Sequence, residues 1–251
     1  MANITHSWIY PQLIAHRGAG KHAPENTLAA IRFGASNGFS MMEFDVKLSQ
    51  DGVAILLHDD DLARTSNHHG PASDYTLAQL SHWDFGSWHS SAYAGEPIAT
   101  LQSIAYYTIA NQIHSNIEIK PSPGDETRTG ERIAKLAEQL WQAAALPPLL
   151  SSFSEASLDA ARHAAPHIPR ALLLEAELPA DWQERLERLA CSGLNMNTDY
   201  LTAEQAKAIK QAGYTLCVWT VNDAKRVREL FDWGCDAIIT DRVTTIRPDS
   251  I

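Results

Sequence analysis

The chain has 251 residues, 45% of them hydrophobic and 20% charged, and carries a formal net charge of -10. That length suits a single eight-fold β/α barrel, and the composition excludes disorder. The acidic balance argues against nucleic acid or an anionic membrane as a partner, so an anionic substrate here needs a metal ion or a few local cations.

The start of the chain, Met1 to Tyr10, is mixed polar and lacks the apolar run of a signal peptide. No stretch approaches the ~20 apolar residues of a membrane span, and the expected compartment is the cytoplasm, with no stable membrane insertion. From there short apolar runs alternate with longer amphipathic ones, the mark of a parallel sheet with crossover helices. The first strand is Leu13-Ile14-Ala15, ending at His16-Arg17-Gly18, and a helix spans Asn26 to Asn37 with Gly38 at its stop. Strand two is Met41 to Val46. Val53 to Leu57 either extends it or pairs with it across the turn Gln50-Asp51-Gly52.

The pattern breaks from Asp59 to about Thr100, a stretch rich in His, Ser, Asp and Gly with five aromatics, too long for a plain connection and read as an insertion or small cap. A helix at Leu101 to Asn111 then leads to strand three, Asn116 to Ile119. The second half is regular, with helices at Thr129–Ala144, Glu155–Ala164, Asp181–Ala190, Thr202–Ala212 and Ala224–Trp233. Between them run strands at Leu149–Ser152, Ala171–Leu174, Leu194–Asn197, Tyr214–Thr220 and Ala237–Ile239. Thr202 and Gln205 have the spacing of a capping box. The expected architecture is an α/β fold, a (β/α)8 TIM barrel of eight strands and eight helices. It forms one domain over residues 1–251, with its insertion at about 59–100 after the second strand. Cys191, Cys217 and Cys235 are odd in number without CxxC spacing, and read as small buried residues rather than a disulfide or zinc framework.

In such a barrel the active site lies at the C-terminal ends of the strands. Those ends carry His16 and Arg17, Glu43 and Asp45, His58, Glu118 and Lys120, then Asn195 and Asn197, Trp219 and Thr220, and Asp241. Glu43 and Asp45 are two apart on a strand and share a face, as do Glu118 and Lys120. Three carboxylates meeting from neighbouring strands repel unless a positive charge lies between them. Oxygen ligands without cysteine suit one hard divalent ion, Mg²⁺ or Ca²⁺, better than zinc. The plain alternative is that these acids pair with Arg17 and Lys120 and bind nothing; a third carboxylate and two histidines at the same rim argue against it. Of the eleven histidines, most sit in polar or loop settings, the tandem His68-His69 among them. His16 and His58 differ because each directly follows a buried strand. Two imidazoles flanking a phosphate can divide the work, one taking a proton and the other giving one. Arg17 offers a planar fork for phosphate oxygens and Lys120 a point charge. Gly18-Ala19-Gly20-Lys21 has neither the Walker nor the Rossmann spacing, so a nucleotide loop is not expected.

His16-Arg17-Gly18, Pro24-Glu25-Asn26-Thr27, Glu43-Phe44-Asp45-Val46, Leu57-His58-Asp59, Glu118-Ile119-Lys120 and Val218-Trp219-Thr220-Val221-Asn222 follow one another in the order and spacing of a known family. From about Leu13 to Arg242 the chain resembles the glycerophosphodiester phosphodiesterases, in particular the cytoplasmic bacterial enzymes that act on deacylated phospholipid head groups. The resemblance implies that Glu43, Asp45 and Glu118 are metal ligands, that His16 and His58 are the general acid–base pair, and that Arg17 and Lys120 hold the phosphate. It implies that the insertion covers the mouth, with Phe85, Trp88 and Trp219 as candidates for an apolar wall; core packing is an equal reading of Trp88. Ala19 departs from the glycine found in many relatives and touches no charged atom. Pro24 to Thr27 reads as structural, Asn26 or Thr27 capping the first helix, with Glu25 a lesser candidate for the metal shell. The implied reaction yields sn-glycerol 3-phosphate and an alcohol from a small-molecule glycerophosphodiester. Rival readings are a phospholipase-type enzyme on intact lipid, disfavoured by the polar insertion and acidic chain, and a non-catalytic phosphodiester-binding barrel, which would have lost a carboxylate or histidine. A barrel isomerase or aldolase would need Lys120 for a Schiff base, where Glu118 crowds it. Head-group preference, the choice of ion and the oligomeric state, a homo-oligomer included, are not encoded legibly.

Overall fold

The apolar runs of the sequence are buried along nearly their whole length, as a parallel sheet covered by helices requires. The computed structural model describes residues 6–249, so the first five residues of the N-terminal stretch lie outside it. The strands are β1 (Leu13–Ala15), β2 (Met41–Leu48), β3 (Ala54–Leu56), β4 (His114–Ile119), β5 (Leu149–Ser152), β6 (Arg170–Leu174), β7 (Gly193–Asn197), β8 (Thr215–Trp219) and β9 (Ala237–Thr240). Eight of them pair in parallel in the order β1-β9-β8-β7-β6-β5-β4-β2, and Ala15 beside Met42 joins β1 to β2 and closes the barrel. β3 folds back antiparallel on β2 across the turn at Gly52, whose φ of +75° suits glycine.

The helices are α1 (Leu28–Ser36), α2 (Leu77–Leu80), α3 (Leu101–Ala110), α4 (Glu126–Trp141), α5 (Glu155–Ala164), α6 (Trp182–Leu189), α7 (Ala203–Gln211) and α8 (Ala224–Asp232). The count of eight needs a correction in kind. One of the eight described helices, α2, is a four-residue turn inside the insertion. Seven helices therefore make the crossovers, and no helix follows β9 among the described residues. Thr27 caps α1 by accepting from Ala30 N, and Thr202 with Gln205 forms the expected capping box on α7.

The main core lies between strands and helices, with Phe44, Ile117, Leu150, Leu172, Leu194, Leu216 and Ile238 pointing outward from the barrel. A second cluster, Tyr10, Ile14, Met41, Leu149, Ala171, Cys217, Ala237 and Ile239, fills the barrel interior from below. The interior is thus plugged with apolar side chains at its base, and the inward positions nearer the C-terminal rim are free to be polar. All three cysteines are buried free thiols. The insertion builds a small core against β3, with Leu62, Ala72, Leu80, Phe85 and Ile98 packing on Ile55 and Leu57. It is tied to α1 where Glu96 accepts a hydrogen bond from Ala29 N at 3.0 Å.

Gly34 sits within α1, where it packs on the turn of residues 16–18; a Cβ there would stand 2.1 Å from the Gly18 carbonyl oxygen. Alanine would gain ~1 kcal/mol of helix propensity, but forcing a methyl into a packed contact costs ~1–3 kcal/mol, and the obstacle is backbone. Gly34→Ala is expected to lower the denaturant midpoint at unchanged m-value, and to reduce activity because the displaced turn carries His16 and Arg17.

Candidate active site

Strand alternation turns Glu43, Asp45 and Lys47 of β2, and Asn116 and Glu118 of β4, into the barrel, and the parallel register places Asp45 beside Glu118. Carboxylate oxygens of Glu43, Asp45 and Glu118 all lie within 4.8 Å of one another, and all three side chains are buried. Burial, with Asp45 and Glu118 close by, pushes the Glu43 carboxyl well above its ordinary range. Burial and Asp45 likewise push Glu118 up to about 7, with Lys120 opposing. Asp45 goes the other way: burial alone would raise it, but Arg17, His58 and Lys120 together hold it down. Two cations stand against the three acids. Lys120 Nζ lies 2.9 Å from Glu118 and 3.8 Å from Asp45, and Arg17 Nε lies 3.4 Å from Asp45. A cluster of oxygen donors with surplus negative charge is the chemistry of a hard divalent cation site, and the residues present fit one.

The loop after β1 is shaped to serve this cluster. Arg17 adopts a left-handed backbone (φ 50°), and its N–H donates to Glu43 Oε2 at 3.0 Å. Asn26, also left-handed (φ 60°), grips Asp45 twice: its Nδ2 donates to Asp45 Oδ2 at 2.8 Å, and its Oδ1 accepts from Asp45 N at 3.0 Å. Asparagine tolerates this backbone better than most residues. Of the two expected caps, then, Thr27 caps α1 while Asn26 holds an acid of the cluster. Glu25 does not reach the cluster; its Oε1 accepts from Arg17 Nη1 at 2.8 Å.

His16 and His58 enter the same cavity, of about 390 Å³, which is also lined by Arg17, Glu43, Glu118, Lys120, Ser151, Phe153, Glu175 and Trp219. Each imidazole is tied at Nδ1 to an aspartate. His16 Nδ1 lies 2.7 Å from Asp241 Oδ1, and His58 Nδ1 lies 2.6 Å from Asp59 Oδ1. An ionised carboxylate only accepts, so Nδ1 carries the proton in both and Nε2 is left to the cavity. His16 and Asn222 hold the Asp241 carboxyl down at about 2 against burial that would raise it. Burial pushes the His58 pKa down. Lys47, fully buried, donates to Asp59 O at 2.7 Å and Asp60 Oδ1 at 2.6 Å, which anchors the backbone beside His58.

The apolar wall differs from the expected one. Trp219 lines the cavity, its ring edge-on to Phe153 at 5.6 Å. Phe85, 3% exposed, is instead part of the insertion's core and does not line the cavity; Trp88 lies at the surface. Both come from a segment whose aromatics pack on one another. Phe153, after β5, and Glu175, after β6, were missed because each is a single residue beyond a strand end with no charge partner or motif to mark it. Asp241 was in view at a strand end and Asp59 beside His58 in its motif, yet only the fold shows them bonded to the histidines.

A family model described as the glycerophosphoryl diester phosphodiesterase family matches residues 16–245. A glycerophosphodiester phosphodiesterase of Caldanaerobacter subterraneus subsp. tengcongensis is 32% identical over 93% of this chain and 95% of its own. Among solved structures, an Oleispira antarctica phosphodiesterase in complex with the product sn-glycerol-3-phosphate has a TM-score of 0.87 and 35% identity, covering 94% of this chain and 95% of that one. A glycerophosphodiester phosphodiesterase of Agrobacterium tumefaciens str. C58 has a TM-score of 0.76 and 25% identity, covering 93% of this chain and 97% of that one.

The raised Glu118 carboxyl makes a signed prediction for protein kept in chelator. Its folded value of about 7 lies above the ordinary 4.5. The folded state therefore holds a proton that the unfolded chain releases, and stability from this group is lost as pH climbs from about 4.5 to about 7. Glu118→Gln mimics the protonated acid. In thermal melts with chelator it is expected to match the unmodified protein near pH 5 and exceed it at pH 8, with the order reversed at pH 8 by added divalent metal. Equal melting temperatures at pH 8 with and without metal would contradict the reading of the cluster.

Proposed function

The chain belongs to the glycerophosphoryl diester phosphodiesterase family, and we propose that it hydrolyses glycerophosphodiesters to sn-glycerol 3-phosphate and an alcohol by metal-dependent His/His acid–base catalysis. The observation that carries this is one cavity holding two Asp-tethered imidazoles, two cations and a buried carboxylate cluster. Glu43, Asp45 and Glu118 would hold one divalent ion, Mg²⁺ or Ca²⁺, whose chemistry is to draw negative charge from the phosphate as phosphorus becomes five-coordinate.

The remaining steps fall to side chains. Arg17 and Lys120 bind and orient the phosphate oxygens. His16, its proton fixed on Nδ1 by Asp241, takes a proton at Nε2 from the attacking oxygen. His58, acting as the imidazolium with its Nδ1–H held by Asp59, gives the proton on Nε2 to the departing alcohol oxygen as the P–O bond breaks and is left neutral. An attacker already within the substrate, the neighbouring glycerol hydroxyl, would gain from large effective molarity and leave a cyclic phosphate for water to open. Trp219 and Phe153 offer an apolar face and Glu175 a polar one for the glycerol or head group. The insertion belongs to the same catalytic domain in this reading. A cytoplasmic setting fits three free buried thiols; no described helix is long and apolar enough to cross a membrane.

Assay against a panel of glycerophosphodiesters should detect sn-glycerol 3-phosphate, with release abolished by chelator and restored by Mg²⁺ or Ca²⁺. His16→Ala and His58→Ala are each expected to lower kcat by about 10²–10⁴, the usual share of acid–base catalysis, with metal binding retained in calorimetry. Near-full turnover in either variant would remove that histidine from the mechanism.

A further inference from the structure

Arg64 stands outside the cavity, its side chain 43% exposed, yet its guanidinium makes four hydrogen bonds to two carboxylates. Nε donates to Asp59 Oδ2 at 2.6 Å and Nη2 to Asp59 Oδ1 at 3.1 Å. On the other side, Nη1 donates to Glu25 Oε2 at 2.8 Å and Nη2 to Glu25 Oε1 at 2.8 Å. Each carboxylate in turn holds a residue of the site: Asp59 holds His58, and Glu25 holds Arg17. The order is therefore His58–Asp59–Arg64–Glu25–Arg17, with Arg64 supplied by the insertion and Glu25 by the loop after β1.

We propose that Arg64 is a positioning residue, which aligns the proton-donating imidazole and the phosphate-binding guanidinium together and makes that alignment depend on the insertion being docked. Arginine suits the role because its rigid fork engages two carboxylates at once, whereas a lysine ammonium satisfies neither pair bidentately. An exposed ion pair usually contributes little stability, so the weight of this one falls on orientation. Its hydrogen bonds are the largest influence holding the Asp59 carboxyl below its usual range, which keeps it an acceptor for His58.

The inference rests on the acid role given to His58, and the test separates the two. Arg64→Gln and Arg64→Lys are compared with the unmodified enzyme on glycerophosphoethanolamine and on glycerol 3-phospho-p-nitrophenol, whose leaving group departs without a proton. In both variants kcat for the ethanolamine ester is expected to fall about 10- to 100-fold, a loss of the size that removing the outer partner of a metal ligand causes. For the nitrophenyl ester kcat should stay close to that of the unmodified enzyme, with KM raised for both esters through Arg17. Independently of turnover, the His58 Nδ1–H resonance, assigned by its absence in His58→Ala, should exchange faster with water in both variants. Equal kcat losses on the two esters, or unchanged exchange of that proton, would overturn the proposal. If the unmodified enzyme cleaved neither ester, the assigned reaction would fail while the proton exchange still decided the role of Arg64.

Discussion

Three carboxylates buried side by side are the constraint around which the site is arranged. At an effective dielectric near 20, two unit charges ~4.8 Å apart repel by on the order of 3 kcal/mol, and Glu43, Asp45 and Glu118 are mutually at least that close. Neither cation cancels this alone, because Arg17 is shared with Glu25 and Lys120 is drawn toward Glu118. The acids are held apart in role as well as in space. Asp45, gripped by Asn26 and facing both cations, stays ionised, while Glu43 and Glu118 are raised. The three acids fit a hard dication, which would supply the counter-charge that Arg17 and Lys120 do not.

Holding the acids so requires a backbone that regular structure does not supply. Between β1 and α1 the chain makes a loop with two left-handed non-glycine residues, Arg17 and Asn26. Such conformations cost on the order of 1–3 kcal/mol and persist where surrounding contacts fix them. Here they aim the Arg17 N–H at Glu43 and the Asn26 amide at Asp45. The glycines of the same loop, with none of the spacing of a phosphate-binding loop, serve close approach instead. A Cβ on Gly20 would meet the Asp241 backbone at 2.3 Å, and one on Gly18 would meet the backbone of α1 at 2.9 Å. Gly20 thus braces the loop against the strand end whose Asp241 orients His16, and Gly18 braces it against α1.

What the sequence made legible follows from periodicity. Alternation two residues apart is a backbone property, so Glu43 with Asp45 and Glu118 with Lys120 could be assigned to a shared face before any coordinates, and so could the closed parallel sheet. The positioning partners were harder because they arise from tertiary closure. Asp241 meets His16 only because β9 returns beside β1, 225 residues along the chain. Lys47 carried a usable signal, since it continues the inward-facing series of Glu43 and Asp45, and its full burial follows from that phase. Arg64 carried none: its partners are set by how an irregular insertion folds back on the rim. Phe85 was misplaced for the same reason, because hydrophobicity marks a side chain as buried without saying which core takes it.

The barrel divides its labour by halves. The strands β1, β2, β3 and β4, with the loops that follow them, hold both histidines, all three acids and both cations, tied to their partners around the rim by hydrogen bonds and ion pairs. The strands β5, β6 and β8 present Ser151, Phe153, Leu173, Glu175 and Trp219, of which only Glu175 is charged. A charged half fixed by many directional bonds tolerates little variation, whereas a wall built mainly by shape can change its substrate fit while leaving proton positions alone. The two halves touch where Lys120 lies over the Phe153 ring at 5.5 Å from its centroid. That contact gives the aromatic wall an electrostatic link to the charged side, so changes at Phe153 should be felt by Lys120 before they reach either histidine.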